Sequence, residues 1–265
     1  MTRPKTVLLV VALSAGVAAQ SPDPPLSDTR LTVHTLVRED LFAGFLSNDQ
    51  TRFARGERSV EVLLRERPDQ RANLLAWQGS TALYRAVLAH EAGRADEFER
   101  LYRSARDAFA EASRLQTVED GVPAIIGGSL SLFADRLPQA YRPIAWNEAY
   151  EAYSLLWKGQ APILDKLPVH HRGELLGGLA QSAQRTGRTE EMDQYLDRML
   201  IALQGTPYEA TAKQWKSDPA VAASTRLTCK NCHNPGRLGP RLAELNKSDE
   251  AAPETSEHGG AAPPR

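Results

Sequence analysis

The sequence predicts an all-α protein built from stacked helical hairpins. Apolar residues recur at helical spacing in two long stretches. Phe98, Leu101, Tyr102, Ala105, Ala108, Phe109 and Ala112 form one i, i+3, i+4, i+7 stripe, and Met192, Tyr195, Leu196, Met199, Leu200 and Leu203 form another. No stretch alternates apolar and polar residues for long enough to make a strand. The two stripes are also related to each other at an offset of 94, which lays residues 93–98 on residues 187–192. Half that offset, 47, sets Phe98, Tyr102, Ala105 and Phe109 on Ala145, Ala149, Ala152 and Leu156. A period of this size marks helix pairs that cannot bury their apolar faces alone and so stack.

Taken in order, the chain opens with Arg3 and Lys5 before an apolar run at residues 7–13, followed by small residues at Val17 and Ala19. That is the pattern of a cleavable export signal over residues 1–19. The run is too short to span a bilayer, which takes about 20 apolar residues. The expectation is therefore a periplasmic or extracellular protein with no transmembrane segment after cleavage. Residues 20–33, with Ser21, Pro22, Asp23, Pro24 and Pro25, form an extended lead-in. The helical-repeat domain spans 34–205. Its predicted pairs are 36–46 with 50–66, 71–91 with 95–115, 121–135 with 141–158, and 169–185 with 189–204. Gly93 and Gly187 fall between the members of two pairs, where a tight turn needs left-handed backbone. A C-terminal segment covers 206–246, and residues 247–265 lack apolar periodicity and are expected to be disordered.

Leu179, Ala180, Ala183, Gly187, Met192, Leu196 and Met199 place small residues at a helix crossing and glycine at a turn. With Trp77 and Tyr84 in a preceding helix, this resembles a tetratricopeptide repeat over roughly residues 70–205. The period exceeds the usual repeat of about 34 residues, Pro207 comes late, and Met192 and Met199 stand where alanines are expected. The resemblance implies a tetratricopeptide-repeat-like solenoid whose concave surface binds a protein partner.

Composition narrows the function. The 265 residues are 42% apolar, too apolar for wholesale disorder, and 32 basic residues balance 33 acidic ones. Such a chain has no basic field to attract nucleic acid. The two cysteines, Cys229 and Cys232, are too few and too close together to staple a secreted fold.

Cys229, Cys232 and His233 instead form the C-x-x-C-H signature of covalent c-type haem attachment. Asp218 and Pro219 make a good helix start, and a helix running from there towards Pro235 would put 229, 232 and 233 on one face. Two thiols could then bond the haem vinyl groups while the His233 imidazole reaches the iron. A zinc site would need a fourth ligand, and nothing surrounds the pair with the βαβ setting of a thioredoxin-like site. A local disulfide stays open as an alternative. There is no phosphate-binding glycine loop, G-x-S-x-G or H-E-x-x-H, so no catalytic residue is assigned. Gly127, Gly128, Gly177 and Gly178 suit close helix packing.

Residues 233–242, with Gly239, Pro240 and Leu242 after the motif, resemble the stretch that follows the haem motif in small class I cytochromes c. That resemblance implies that the Pro240 carbonyl accepts the second ring N–H of His233 and so orients it. The family's distal methionine is missing: no methionine follows Met199 and only 32 residues follow His233. The sixth iron position is then either open or filled from the solenoid. His170 or His171, at a helix start after Pro168, is the candidate distal ligand. Met192 and Met199 read as core. His34 and His90 carry no supporting pattern, and His258 falls in the tail. Lys216, Arg226, Lys230, Arg237 and Arg241 suit haem propionates or an acidic redox partner, and Trp215 and Tyr208 suit core or porphyrin packing.

The expectation is thus an exported monohaem c-type cytochrome-like protein with one covalent haem c. It would pass single electrons and bind a redox or scaffold protein partner. It is not expected to be an enzyme, although an open sixth position would admit peroxide or small-gas chemistry. The alternative is an exported repeat scaffold whose cysteine pair is structural or oxidised.

Overall fold

The computed structural model describes residues 23–117, 121–227 and 238–250. Among the described residues there are eleven α-helices and no strand. Eight of them form four hairpins: α1 (Val33–Ser47) with α2 (Gln50–Glu66), α3 (Arg71–Glu91) with α4 (Ala95–Leu115), α5 (Val122–Phe133) with α6 (Arg142–Gln160), and α7 (Val169–Arg185) with α8 (Thr189–Ala202). Successive hairpins stack through α1, α3, α5 and α7. The predicted all-α helical-hairpin fold is the one observed. Three helices follow, α9 (Pro207–Ser217), α10 (Pro219–Ser224) and α11 (Leu238–Glu250).

The repeat read from the sequence reappears in the backbone. Gly93 and Gly187 both have positive φ, 71° and 75°. After each, the next residue closes the same bond back to the first helix of its pair. The Arg94 N–H donates to the Ala89 carbonyl and the Arg188 N–H to the Ala183 carbonyl, each at 2.9 Å. These are the Schellman bonds that end a helix at a left-handed residue. The α1–α2 turn reaches the same end with Asn48 (φ 55°), after which the Asp49 side chain caps α2 by accepting the Arg52 N–H at 3.0 Å.

The main core spans the first three hairpins. Phe45, Phe53, Tyr84 and Phe133 meet there, with ring centroids 5.0 Å apart for Phe45–Phe133 and 4.9 Å for Phe53–Tyr84. The Tyr84 hydroxyl donates to the Gly44 carbonyl at 2.8 Å, so even this buried polar group is satisfied. A second cluster joins α7 to α10 around Leu196, Met199 and Trp215, with Met192 partly buried against it. Both methionines therefore pack as the periodicity indicates. The glycine pairs serve close approach: a Cβ at Gly178 would stand 2.2 Å from the Tyr153 ring, and one at Gly127 3.1 Å from it. Tyr153 of α6 thus wedges between α5 and α7.

One expectation fails. Asp218 does cap α10, accepting from Ala220 and Val221 at 2.9 and 3.2 Å, and Pro219 does open it. The helix nevertheless ends at Ser224 and does not continue towards Pro235. Thr225 is extended, and its surroundings explain why. The Arg185 guanidinium donates to the Ala222 and Thr225 carbonyls at 2.8 and 2.9 Å, and the Trp215 indole N–H donates to the Thr225 hydroxyl at 2.8 Å. These side chains satisfy the carbonyls of the last turn and offset the loss of further helix. At the other end, α11 runs to Glu250, past Asn246, where composition alone suggests that order stops.

Candidate functional site

His34 lies in the first turn of α1, fixed by the Thr32 cap, whose hydroxyl accepts the Thr35 N–H at 3.1 Å. Its imidazole tilts against the Trp77 indole of α3, with centroids 5.2 Å apart. His170 and His171 occupy the first turn of α7, with ring centroids 5.7 Å apart. His34 thus stands at the start of α1, and His170 and His171 at the start of α7.

Their environments differ. His34 is partly buried, packed against the buried Trp77. Burial, helped by the positive charges of Arg38, His170 and His171, pushes its pKa down from 6.5 to about 3. The imidazole is therefore neutral at pH 7, the form that ligates a metal. His170 is half-buried, with Nδ1 3.4 Å from the Tyr208 hydroxyl, which itself reaches Glu174 at 3.3 Å. Tyr208 comes so close because position 173 is glycine: a Cβ there would lie 2.3 Å from its ring. His171 is exposed. Beside His34, the buried Trp77 indole N–H has no acceptor among the described residues. No set of three or more His, Cys, Asp or Glu able to hold a bare metal ion occurs among the described residues.

The depressed pKa makes a prediction for the folded chain. Between about pH 6.5 and 3 the unfolded state takes up a proton at His34 that the folded state refuses. Stability present above pH 6.5 is thus lost as the pH falls through this window. The loss attributable to His34 is about 2 kcal/mol between pH 6.5 and pH 5. Unfolding free energies from urea titrations at the two pH values should converge by that amount in His34→Gln; an equal acid sensitivity in wild type and variant contradicts the assignment.

Cys229, Cys232 and His233 lie outside the described residues, as do Lys230 and Arg237. Their flanks do not. The Leu227 N–H donates to the Gln181 side-chain carbonyl of α7 at 2.8 Å. The Leu238 N–H donates to the Glu39 carboxylate of α1, and Leu238, Leu242 and Leu245 pack on the main core. The chain thus leaves α7 about three turns beyond His170 and returns to α1 about one and a half turns beyond His34. Pro240 is exposed in the first turn of α11. Among the expected basic residues, Lys216 pairs with Asp197 and Arg241 with Glu244. Trp215 is core.

The sequence offers His34 no supporting pattern, because its setting against Trp77 is made by a residue far away in the chain. A separate cleft of about 280 Å³ lies between α4 and α6, lined by Arg106, Phe109, Ile126, Glu148 and Leu155. No protein-family profile, curated protein or solved structure matches the chain. Among the described residues no helix is long and apolar enough to cross a membrane.

Proposed function

We propose that this chain is an exported monohaem c-type protein that carries single electrons, with its tetratricopeptide-repeat-like hairpin surface binding a redox partner. The observation that carries the proposal is the C-x-x-C-H motif, whose flanks rest on α7 and α1 through Leu227 and Leu238. One unsatisfied group suits such a ligand: the buried Trp77 indole N–H, packed against the neutral His34 imidazole, has no acceptor among the described residues. Cys229 and Cys232 would each add S–H across a vinyl group. A carbon–sulfur bond forms, the proton goes to the neighbouring vinyl carbon, and nothing is oxidised. His233 would supply the proximal imidazole, oriented in the family resemblance by the Pro240 carbonyl. When bound, the haem iron supplies one-electron chemistry by alternating between ferric and ferrous states.

Coexpression with cytochrome c maturation proteins tests this. Haem staining that survives a denaturing gel, and is lost in the double variant Cys229→Ala, Cys232→Ala, is the expected result. A colourless protein with its cysteines free or joined as a disulfide overturns it and leaves an exported hairpin scaffold.

A further inference from the structure

We propose that the cleft between α4 and α6 docks an amphipathic helix of a partner protein. The apolar stripe of that helix would sit on Phe109 and Leu155, with a lysine or arginine beside it against Glu148 and Glu151. The inference rests on the partner-binding half of the reading above, names its surface, and uses no residue of the haem motif.

The cleft follows α4 from Arg106 to Gln116, about three turns or 15 Å, and α6 from Glu148 to Leu155. Each of these helices packs on its own hairpin partner, α4 on α3 and α6 on α5. The gap left between them is floored by Phe109 and by Ile126 of α5, both buried. Its α6 wall stays bare. Leu155 is 46% exposed, and Ile144, about three turns earlier on the same helix face, is 47% exposed. Large apolar side chains in register along an open groove are what a helix laid into that groove covers.

Charge decides the kind of helix. The Arg106–Glu148 pair, at 2.5 Å, closes one end of the cleft, and the Arg106 guanidinium also lies 6.0 Å from the centre of the Tyr102 ring. That wall is therefore preformed, which lowers the cost of binding. Glu151, one turn further along α6, has no ion-pair partner among the described residues. The lining thus carries two carboxylates to one guanidinium and holds no histidine or cysteine. Burial holds the Glu148 carboxyl above its ordinary range; Arg106 pulls it down and Glu151 pushes it up again. A cation from outside offsets this excess of negative charge, so the docking helix is basic beside its apolar stripe.

The test selects a phage-displayed library of peptides, each about 16 residues or four helical turns long, against the full chain. Enriched peptides are expected to carry Leu, Ile, Met or Phe at i, i+4 and i+7, with Lys or Arg in the adjoining turn. A synthetic copy of one such peptide is then titrated by fluorescence anisotropy. Its affinity should fall about tenfold or more in Ala110→Phe, which fills the cleft from an exposed position, and in Glu151→Lys. Exchanging the base of the peptide for glutamate should restore binding to Glu151→Lys and weaken binding to wild type. No enrichment, enriched peptides without a base, or undiminished binding to both variants overturns the proposal. So does a wild type that sediments as a dimer while Ala110→Phe is a monomer, because the occupant is then a second copy of the chain. The double variant Cys229→Ala, Cys232→Ala should bind the peptide as wild type does, so a failed haem reading and a failed docking surface are told apart.

Discussion

Replacing Asp40 with alanine is expected to lower the free energy of unfolding by about 3 kcal/mol, at the lower end of what breaking a buried ion pair costs. Asp40 is only 4% exposed, in the middle of α1. One carboxylate oxygen accepts from the Arg52 Nε at 2.9 Å and from an Arg55 Nη at 2.7 Å, and the other accepts from the Arg55 Nε at 2.6 Å. Both arginines come from α2, so this one carboxylate ties the first hairpin together. Without it, Arg52 keeps only Glu39 at 4.0 Å, and Arg55 keeps the exposed Asp23 at 3.0 Å. Two guanidinium groups are then left near the core with weak partners, but their partial exposure lets them turn to water, which limits the loss. Urea unfolding of wild type and Asp40→Ala gives the difference directly; a loss below about 1 kcal/mol would place the pair among surface bridges that contribute little.

Gly178→Ala is expected to cost about 3 kcal/mol or more, although alanine is the better helix former. The new methyl would stand 2.2 Å from the Cζ of Tyr153, whose ring is buried between α5 and α7 and cannot withdraw without opening that contact. Gly128→Ala is the matched control. There the nearest atom outside its own helix is the Tyr153 hydroxyl at 3.8 Å, so the helix-propensity gain of up to about 1 kcal/mol should survive. Thermal unfolding should therefore move the two variants in opposite directions. Equal shifts would mean that packing against Tyr153 does not set the α6–α7 spacing.

The hairpins were legible because their information is local. The stripe through Phe98, Tyr102 and Phe109 and the glycines at 93 and 187 lie within the elements they define, and α3, α4 and α7 have the bounds the sequence predicts. What was not legible depends on distant partners. The end of α10 is set by Arg185, 40 residues before Thr225, and by Trp215. Asp40 looks like an ordinary surface acid of an amphipathic helix until α2 folds back with two arginines 12 and 15 residues on. His34 meets Trp77 only once α3 packs on α1, and no local periodicity reports that contact. Cys229, Cys232 and His233 are the reverse case. Their spacing speaks plainly in the sequence, while the structure contributes the α1 and α7 anchors on either side.

Intact mass spectrometry of the full chain, made where export and haem-attachment machinery are active, tests the central claim most directly. The predicted result is a single species beginning at Gln20, heavier than that polypeptide by the mass of one haem, with the added mass on the peptide that carries Cys229 and Cys232. A polypeptide without porphyrin mass, whether its cysteines are free or joined to each other, would contradict it.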